Sequence, residues 1–264
     1  MLHYGDLEIT KDSLRLLAKK ISSYPLIIVN NTNDDISSLE KLHPNLKFIN
    51  NHQNLGFAKG VNLGIKAVLN DSSIDSILLL NNDLTISFGN LSHLRKTLFY
   101  KSDIGLVAPI LHHSKEFYDW GGSYNPWLAR VKHQNFKQKP KRPLHVDHVA
   151  AAALLIKKEV FKKIGLFDER FFLYFEDLDF CLRARQANYQ IIIDPEVVVN
   201  HQLSASSTPL KRTLYQWQSH LKFVFKHFPS KAYPTALIYD LIFYPLVISK
   251  LVLTSKFKHN HVSQ

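Results

Sequence analysis

The chain predicts an α/β fold built on a mostly parallel sheet flanked by helices, and three observations carry that expectation. Up to about Pro109, short β-rich runs alternate with longer stretches whose apolar residues recur at helical spacing. Strands alternating with helices argue for a parallel, doubly wound sheet. Three of the β-rich runs, ending at Val29, Ile49 and Leu80, give way to polar clusters. Ligands of such sheets bind at the carboxyl ends of the strands, where those clusters would meet.

Taken in order, Met1 and Leu2 precede a turn-like His3-Tyr4-Gly5, which is little for a first strand. That strand is expected either as a stub or as the end of one that starts in a longer protein. Thr10 to Ile21 places Leu14, Leu17, Ala18 and Ile21 on one helical side, with Thr10 as the expected N-cap. Strands follow at Leu26–Val29 and Leu46–Ile49. A helix is expected over Phe57 to Leu69, then strands at Ser76–Leu80 and Gly105–Ala108, the last stopped by Pro109.

The second half changes character. Tyr118 to Pro143 is rich in Trp, Gly, Pro and basic residues and reads as a long functional loop, a lid for donor or acceptor. Apolar Val149 to Ile156 leads into a short helix, Lys157 to Ile164, that ends at Gly165. Ile191–Ile193 and Val197–Val199 flank Asp194-Pro195 and read as a hairpin, and beyond Thr208 the chain reads as helical. The expected units are residues 1–208, divided into a nucleotide-binding half (1–110) and an acceptor half (111–208), and a basic, apolar helical region at 209–264.

With 45% hydrophobic and 21% charged residues, the 264-residue chain is globular rather than disordered. The single Cys181 excludes a disulfide framework and cysteine-based zinc sites and fits a reducing compartment. The first residues lack the basic start and apolar run of a signal peptide. The net charge of +11 is uneven: residues 201–264 hold eight Lys or Arg and one acid, Asp240, and residues 130–142 hold six basic residues and no acid. Such asymmetry points to an anionic partner: nucleic acid, a phosphorylated substrate or a membrane surface. The absence of a nucleic-acid-binding motif argues against the first.

Four segments can carry chemistry. Ile77-Leu78-Leu79-Leu80-Asn81-Asn82-Asp83-Leu84 runs four aliphatic residues into two amides and a carboxylate. As a strand end it reads as a turn; as a site it reads as a metal or nucleotide contact. In Tyr174 to Arg185, Leu178, Cys181, Leu182 and Arg185 have helical spacing, so Glu176 and Asp177 stand at a helix N-terminus. The helix dipole alone favours carboxylates there, while an aromatic neighbourhood suits a general base. His201 follows the apolar Val197–Val199 and can complete a metal site with Asp83, since Mg²⁺ and Mn²⁺ need few protein ligands when phosphate oxygens supply the others. Asn54 to Asn62, NLGFAKGVN, joins a strand to a helix with glycines that permit close backbone approach, but its spacing is not the dinucleotide fingerprint.

In combination, VNNTNDD, NLGFAKGVN, LLLNNDL, GLFDERFFLYFEDLDFCLRARQANY and NHQLSAS resemble the family 2 glycosyltransferases, and most closely their bacterial rhamnosyltransferase-like branch, over roughly residues 3–225. The resemblance implies the GT-A fold with a helical C-terminal extension. It implies transfer of a sugar, rhamnose in this branch, from a nucleoside diphosphate donor to an acceptor hydroxyl, with inversion, in surface polysaccharide synthesis. A divalent cation, Mn²⁺ or Mg²⁺, is the implied cofactor. By position, Asp83 and His201 would contact the metal, Asp177 would be the base, and Glu176 would shape the acceptor site. His3, Tyr4, Gly5, Asn30, Asn54, Gly56, Asn62, Asn81, Asn82 and Asp83 would form the nucleotide-sugar side. The chain departs from the family pattern with Asn30 in place of Asp, and with Ala150–Ala153 in place of a Gly-containing segment. A sugar nucleotidyltransferase, or an inactive nucleotide-sugar-binding relative, would share the sheet.

Residues Ala232 to Leu253 approach the length of a bilayer span but are interrupted by Pro234, Asp240, Pro245 and Lys250. An interfacial or core-packed helix is expected, with Lys211, Arg212, Lys222, Lys226 and Lys231 suited to anionic headgroups. The implied partners are therefore the donor, a saccharide or lipid-linked acceptor and a membrane surface. The implied location is the cytoplasmic face of a bacterial plasma membrane.

Overall fold

A computed structural model describes residues 1–114, 117–125, 130–136, 138, 140–201, 208–228 and 233–260. The elements in chain order are β1 (Leu2–His3), α1 (Leu7–Ile21), β2 (Leu26–Asn30), a 3-10 turn (Ser37–Leu42), β3 (Leu46–Asn50), α2 (Phe57–Val68), β4 (Ser76–Leu80), β5 (Leu84–Phe88) and α3 (Leu91–Leu98). Then come β6 (Ile104–Ser114), β7 (Phe117–Asn125), β8 (Arg130–Phe136), β9 (Leu144–His145), β10 (Ala153–Lys157), α4 (Lys158–Ile164), α5 (Glu176–Gln186), β11 (Gln190–His201), α6 (Pro209–His227) and α7 (Tyr233–Asn260).

The strands β1, β2 and β3 are parallel neighbours, as the alternating pattern predicts. The larger sheet is mixed, in the order β4-β10-β6-β11-β5. There β10 runs antiparallel to β4 and β6, while β11 runs parallel to β6 and antiparallel to β5. A bridge between Leu2 and Asn81 joins the two sheets. The first strand, β1, pairs Leu2 with Val29 and His3 with Asn30. Beside it, between β2 and β4, lies a cavity of about 370 Å³ whose lining includes Met1, Ile27, Val61, Ile65, Ile77 and Leu79.

Alternation along the central strands builds both cores. Leu106, Ala108 and Ile110 of β6 enter one cluster, and Val107 and Leu111 the other, as a two-residue period requires. In β11, Ile191 and Ile193 face the first cluster and Ile192 the second; past Pro195, Val197 and Val199 face the second and Val198 the first. The register against β6 shifts between Asp194 and Val198, so three residues bulge out of the pairing.

That bulge corrects two expectations. Asp194-Pro195 does not turn a hairpin; β11 is one strand from Gln190 to His201. Nor does Pro109 end β6, which continues to Ser114. Pro109 pairs with Asp194 at the edge of the shift, and Pro195 lies inside it, so each lacks an N–H where the ladder is already irregular. Asp194 holds the bulge by accepting from the Glu196 N–H at 3.0 Å and the Thr97 hydroxyl at 2.5 Å.

Two further corrections concern local signals. The cap of α1 is Asp6, which accepts from the Glu8 N–H; Thr10 lies inside the helix and is fully buried. The expected loop over 118–143 is largely the hairpin β7–β8, which extends the sheet from β6, although 126–129, 137 and 139 lie outside the described residues.

The C-terminal helices pack as a brace. Phe223, Val224 and Phe228 of α6 join Phe171, Leu178 and Leu182 in a third cluster. The helix α7 packs on α6 through a Trp217–Tyr244 stack and a buried His220–Asp240 pair at 2.7 Å, so Asp240 serves the interior rather than interrupting a span. Ile238, Leu241, Ile242 and Leu246 are exposed on α7. No described helix is long and apolar enough to cross a membrane.

Candidate active site

The run Asn81-Asn82-Asp83 links β4 to β5 at the centre of the molecule. The Asn81 N–H donates to the Ala152 carbonyl at 2.8 Å. The Asn82 amide donates to the Tyr4 carbonyl at 3.1 Å and to the buried Thr10 hydroxyl at 2.8 Å, which also meets His3 Nδ1 at 2.7 Å. Asn82 is therefore a clamp on the first loop. Thr10 is the partner that sequence reasoning misassigned to a helix cap.

The next residue is oriented differently. Asp83 Oδ1 lies 3.2 Å from His201 Nε2, with 7% and 11% of the two side chains exposed. Pairing of Leu84 with His201 across β5 and β11 brings them together although they are far apart in sequence. A carboxylate oxygen and an imidazole nitrogen facing each other fit a hard or borderline divalent cation whose other ligands are phosphate and water oxygens. Among the described residues no group of three or more His, Cys, Asp or Glu is arranged to hold a metal, so this pair is the protein's candidate contribution.

The carboxylates expected at a helix start are there. Glu176 and Asp177 open α5, immediately after Tyr174 and Phe175, which both hold left-handed φ, 69° and 68°. Two consecutive aromatic residues in that region store strain that the surroundings must sustain. The brace supplies it: Phe175 packs against His220 and Phe223, and the Ser219 hydroxyl donates to the Leu173 carbonyl at 2.8 Å.

Environment separates the two acids. Burial, and then the charge of Asp177, pushes the Glu176 carboxyl well above the usual range. Its Oε2 is buried with no hydrogen-bond partner among the described residues. Burial also pushes Asp177 upward, but the charge and hydrogen bond of His148, with the Leu178 and Ala151 N–H groups, outweigh it and leave Asp177 below its usual value. Asp177 keeps 22% of its side chain exposed. The two neighbouring carboxyls are thus pushed apart in pKa, Asp177 downward and Glu176 upward, the separation that acid–base sites use.

The Ala150–Ala153 segment connects the two centres, since Ala152 receives the Asn81 N–H and Ala151 donates to Asp177. His148, just before this segment, was not singled out in the sequence; no local pattern marks a lone histidine whose partner is 29 positions away.

In the loops after β2 and β3, expected from the sequence to meet the nucleotide, the amides are largely committed to one another. The Asn30 amide donates to the Asp34 carbonyl and to Asn50, and its oxygen accepts from Thr32. This is turn construction, and an amide replaces a carboxylate there without leaving an unpaired charge. Asn54 accepts from Asn31 and from the Gly56 N–H. The residue that ties the loops together is Asn31, 1% exposed, bonded to Asn54, Gly56, Asn51 and Leu55. Gly56 has φ +80°, and a Cβ there would stand 2.4 Å from the Phe172 carbonyl oxygen, which accepts from the Phe57 N–H at 2.7 Å. It thus docks α2 onto the loop before α5.

Two expected ligand positions, Asn62 and His3, are buried in contacts of the fold. Asn62 is 1% exposed and bonds Phe167 through both its amide and its carbonyl, with Glu169 sharing the amide. It clips α2 to the 165–170 loop. His3 is fully buried, and burial lowers its pKa. Tyr4 is exposed, and Gly5, with φ +90°, makes the turn that presents it.

The profile of Glycosyl transferase family 2 matches residues 13–165. The low-salt glycan biosynthesis hexosyltransferase Agl10 of Haloferax volcanii is 27% identical over 192 residues, covering 69% of this chain and 60% of that protein. The dTDP-rhamnosyl transferase RfbF of Shigella flexneri is 23% identical over 203 residues, covering 73% and 64%. The chain thus spans about three fifths of the length of these relatives. Among solved structures, the mannosyltransferase PcManGT from Pyrobaculum calidifontis, in complex with GDP-Man and Mn²⁺, superposes with a TM-score of 0.58 at 12% identity, over 94% of this chain and 70% of that one. That likeness establishes the GT-A architecture.

Proposed function

From the chain's membership of glycosyl transferase family 2, we propose that it transfers a hexosyl group, rhamnosyl in the nearest reading, from a nucleoside diphosphate sugar to an acceptor hydroxyl with inversion. The observation that carries the proposal is the pairing of two centres: Asp83 with His201, and Asp177 at the start of α5, tied together through Ala151 and Ala152. In this reading Asp177 takes the proton from the acceptor hydroxyl as its oxygen attacks the anomeric carbon from the face opposite the leaving diphosphate. Glu176, its pKa raised by burial and then by the charge of Asp177, hydrogen-bonds the acceptor. A divalent cation held by Asp83 and His201, Mn²⁺ or Mg²⁺, would neutralise charge developing on the diphosphate. A glycosidase needs a second carboxyl to protonate its leaving group, whereas here one base suffices. The Asn31-centred loops and the Tyr4–Gly5 turn form the nucleotide side.

The acceptor is a saccharide, free or lipid-linked, in polysaccharide synthesis at the cytoplasmic face of a membrane. Residues 1–208 act as the transferase unit and 209–264 as a brace that also meets the bilayer. The exposed Ile238, Leu241, Ile242 and Leu246 would enter the interface, with exposed Lys211 and Arg212 near anionic headgroups. Lys226, expected from the sequence among those headgroup contacts, is instead occupied by Asp168 and Asp179, and Lys231 lies outside the described residues.

A thermal-shift screen of dTDP-, UDP- and GDP-sugars with Mn²⁺ or Mg²⁺ tests the reading. Stabilisation should require nucleotide and metal together and should vanish in Asp83→Ala. Release of nucleoside diphosphate during turnover supports glycosyl transfer; release of pyrophosphate would overturn it.

A further inference from the structure

Asp177 has a neighbour that neither the sequence motifs nor the reaction chemistry calls for. His148 is 4% exposed and places Nε2 at 3.4 Å from Asp177 Oδ1. The same oxygen accepts from the Leu178 N–H at 2.8 Å. We propose that His148 is a positioning residue for Asp177: its imidazole faces Oδ1 and fixes the direction of the carboxylate, so that Oδ2 is the oxygen turned to the acceptor hydroxyl. This inference rests on the assignment of Asp177 as the base.

Three features support a dedicated role. The first is that the histidine is held by its own backbone. The His148 carbonyl accepts from the Gly122 N–H at 2.9 Å, and its N–H donates to the Gly122 carbonyl at 3.2 Å. Gly121, with φ +77°, allows this approach, because a Cβ there would lie 2.5 Å from the His148 oxygen. The Trp120-Gly121-Gly122 run, which reads as a loop in the sequence, thus fixes the segment that carries the imidazole.

The second feature is the charge around the pair. On α5, burial and then the charge of Asp177 push the Glu176 carboxyl well above its usual range, and burial pushes the Cys181 thiol up to about 12. Asp147, next in sequence, is already paired with Arg185 at 2.9 Å. Asp119 on β7 accepts from the Gly121 N–H. His148 is therefore the titratable side chain that faces Asp177 most directly, at 3.4 Å, which agrees with the lowered pKa of that carboxyl.

The third feature is the balance of forces. A half-buried carboxylate without a donor would drift towards protonation and cease to be a base near neutral pH. With two backbone N–H groups and one imidazole, the carboxylate is fixed in direction as well as in charge.

The test compares wild type, His148→Ala and His148→Gln, with Asp177→Asn as the reference. Titration of ¹³C-labelled carboxyls, assigned by the resonance missing in Asp177→Asn, reads Asp177 without any substrate. Transfer measured across pH, using the donor found by thermal shift, reads the reaction. In His148→Ala, Asp177 should titrate at higher pH, the acid limb of kcat should move the same way, and kcat should fall about tenfold or more with donor KM little changed. His148→Gln keeps a donor but loses the charge, so it should recover part of kcat while the acid limb stays displaced. A wild-type acid limb in His148→Ala, or a Gln variant no better than Ala, overturns the proposal. If the Ala variant does not fold, the Gln variant decides, and an Asp177 titration coincident with wild type overturns it. Full turnover by Asp177→Asn would instead overturn the base assignment, which keeps the two failures apart.

Discussion

Asn31 and Asp179 are both essentially buried polar side chains, one on each side of the site. Asn31 is surrounded by Asn51, Asn54, the Leu55 N–H and the Gly56 carbonyl, all neutral. Asp179, on α5, meets Arg183 at 2.9 Å, Lys226 at 2.5 Å and His227 at 2.7 Å. The loops after β2 and β3 are thus tied by amides, which have no protonation state to lose across the ordinary pH range. The start of α5 is tied by ion pairs to α6, and it carries the paired acids Glu176 and Asp177. The first arrangement suits loops that must hold one shape around any charge on the ligand. The second holds strained backbone at Tyr174 and Phe175, where removing one partner leaves a buried charge uncompensated.

That contrast can be broken at several points. The largest expected effect is Asp177→Asn, which should lower transfer about 10²–10⁴-fold while nucleotide binding by thermal shift stays near wild type. Next, Asp179→Ala should destabilise the protein by about 3–5 kcal/mol, since it leaves cations unpaired at the α5–α6 contact, read as a lower midpoint in urea. Asn31→Ala should destabilise by about 1–3 kcal/mol through its unsatisfied neighbours. Its effect should be the same at pH 5 and pH 8, whereas equal pH dependence for both variants would contradict the comparison.

Acid should give the smallest and most graded effect. Burial pushes Asp179 upward, but the His227 hydrogen bond and the Arg183 and Lys226 charges leave it below its usual value. Hydrogen bonds from Arg170, and then from Lys226, hold Asp168 well below its own, against the upward push of burial. Both folded values are depressed, so their stabilisation is complete above the unfolded carboxylate value of about 4 and fades as pH falls through the folded values. Hydrogen exchange between pH 6 and pH 3 should therefore loosen α6 before β2 and β3. Earlier loss of β2 and β3 would sink the distinction.

The sequence made much of the candidate site legible. Asp83, Glu176, Asp177 and His201 stand out because each follows a local signal: a polar run after an aliphatic strand, carboxylates at a helix start, a histidine at the end of an apolar strand. Other residues misled for equally local reasons. Thr10 resembles a cap, but its hydroxyl is drawn inward by Asn82 and His3. Pro109 and Asp194-Pro195 read as strand stops, yet the register shift between β6 and β11 absorbs both.

By itself the chain determined the order of elements, the faces they bury and the types of side chain at each strand end, because periods of two and 3.6 and helix-start chemistry are written in neighbouring residues. Only the tertiary structure decided that His148 meets Asp177, that Asn31 rather than Asn30 ties the nucleotide loops, and that Lys226 turns inward to Asp179. Those contacts join residues 23 to 47 positions apart. Their energies depend on burial and on the exclusion of water, which no window of sequence contains.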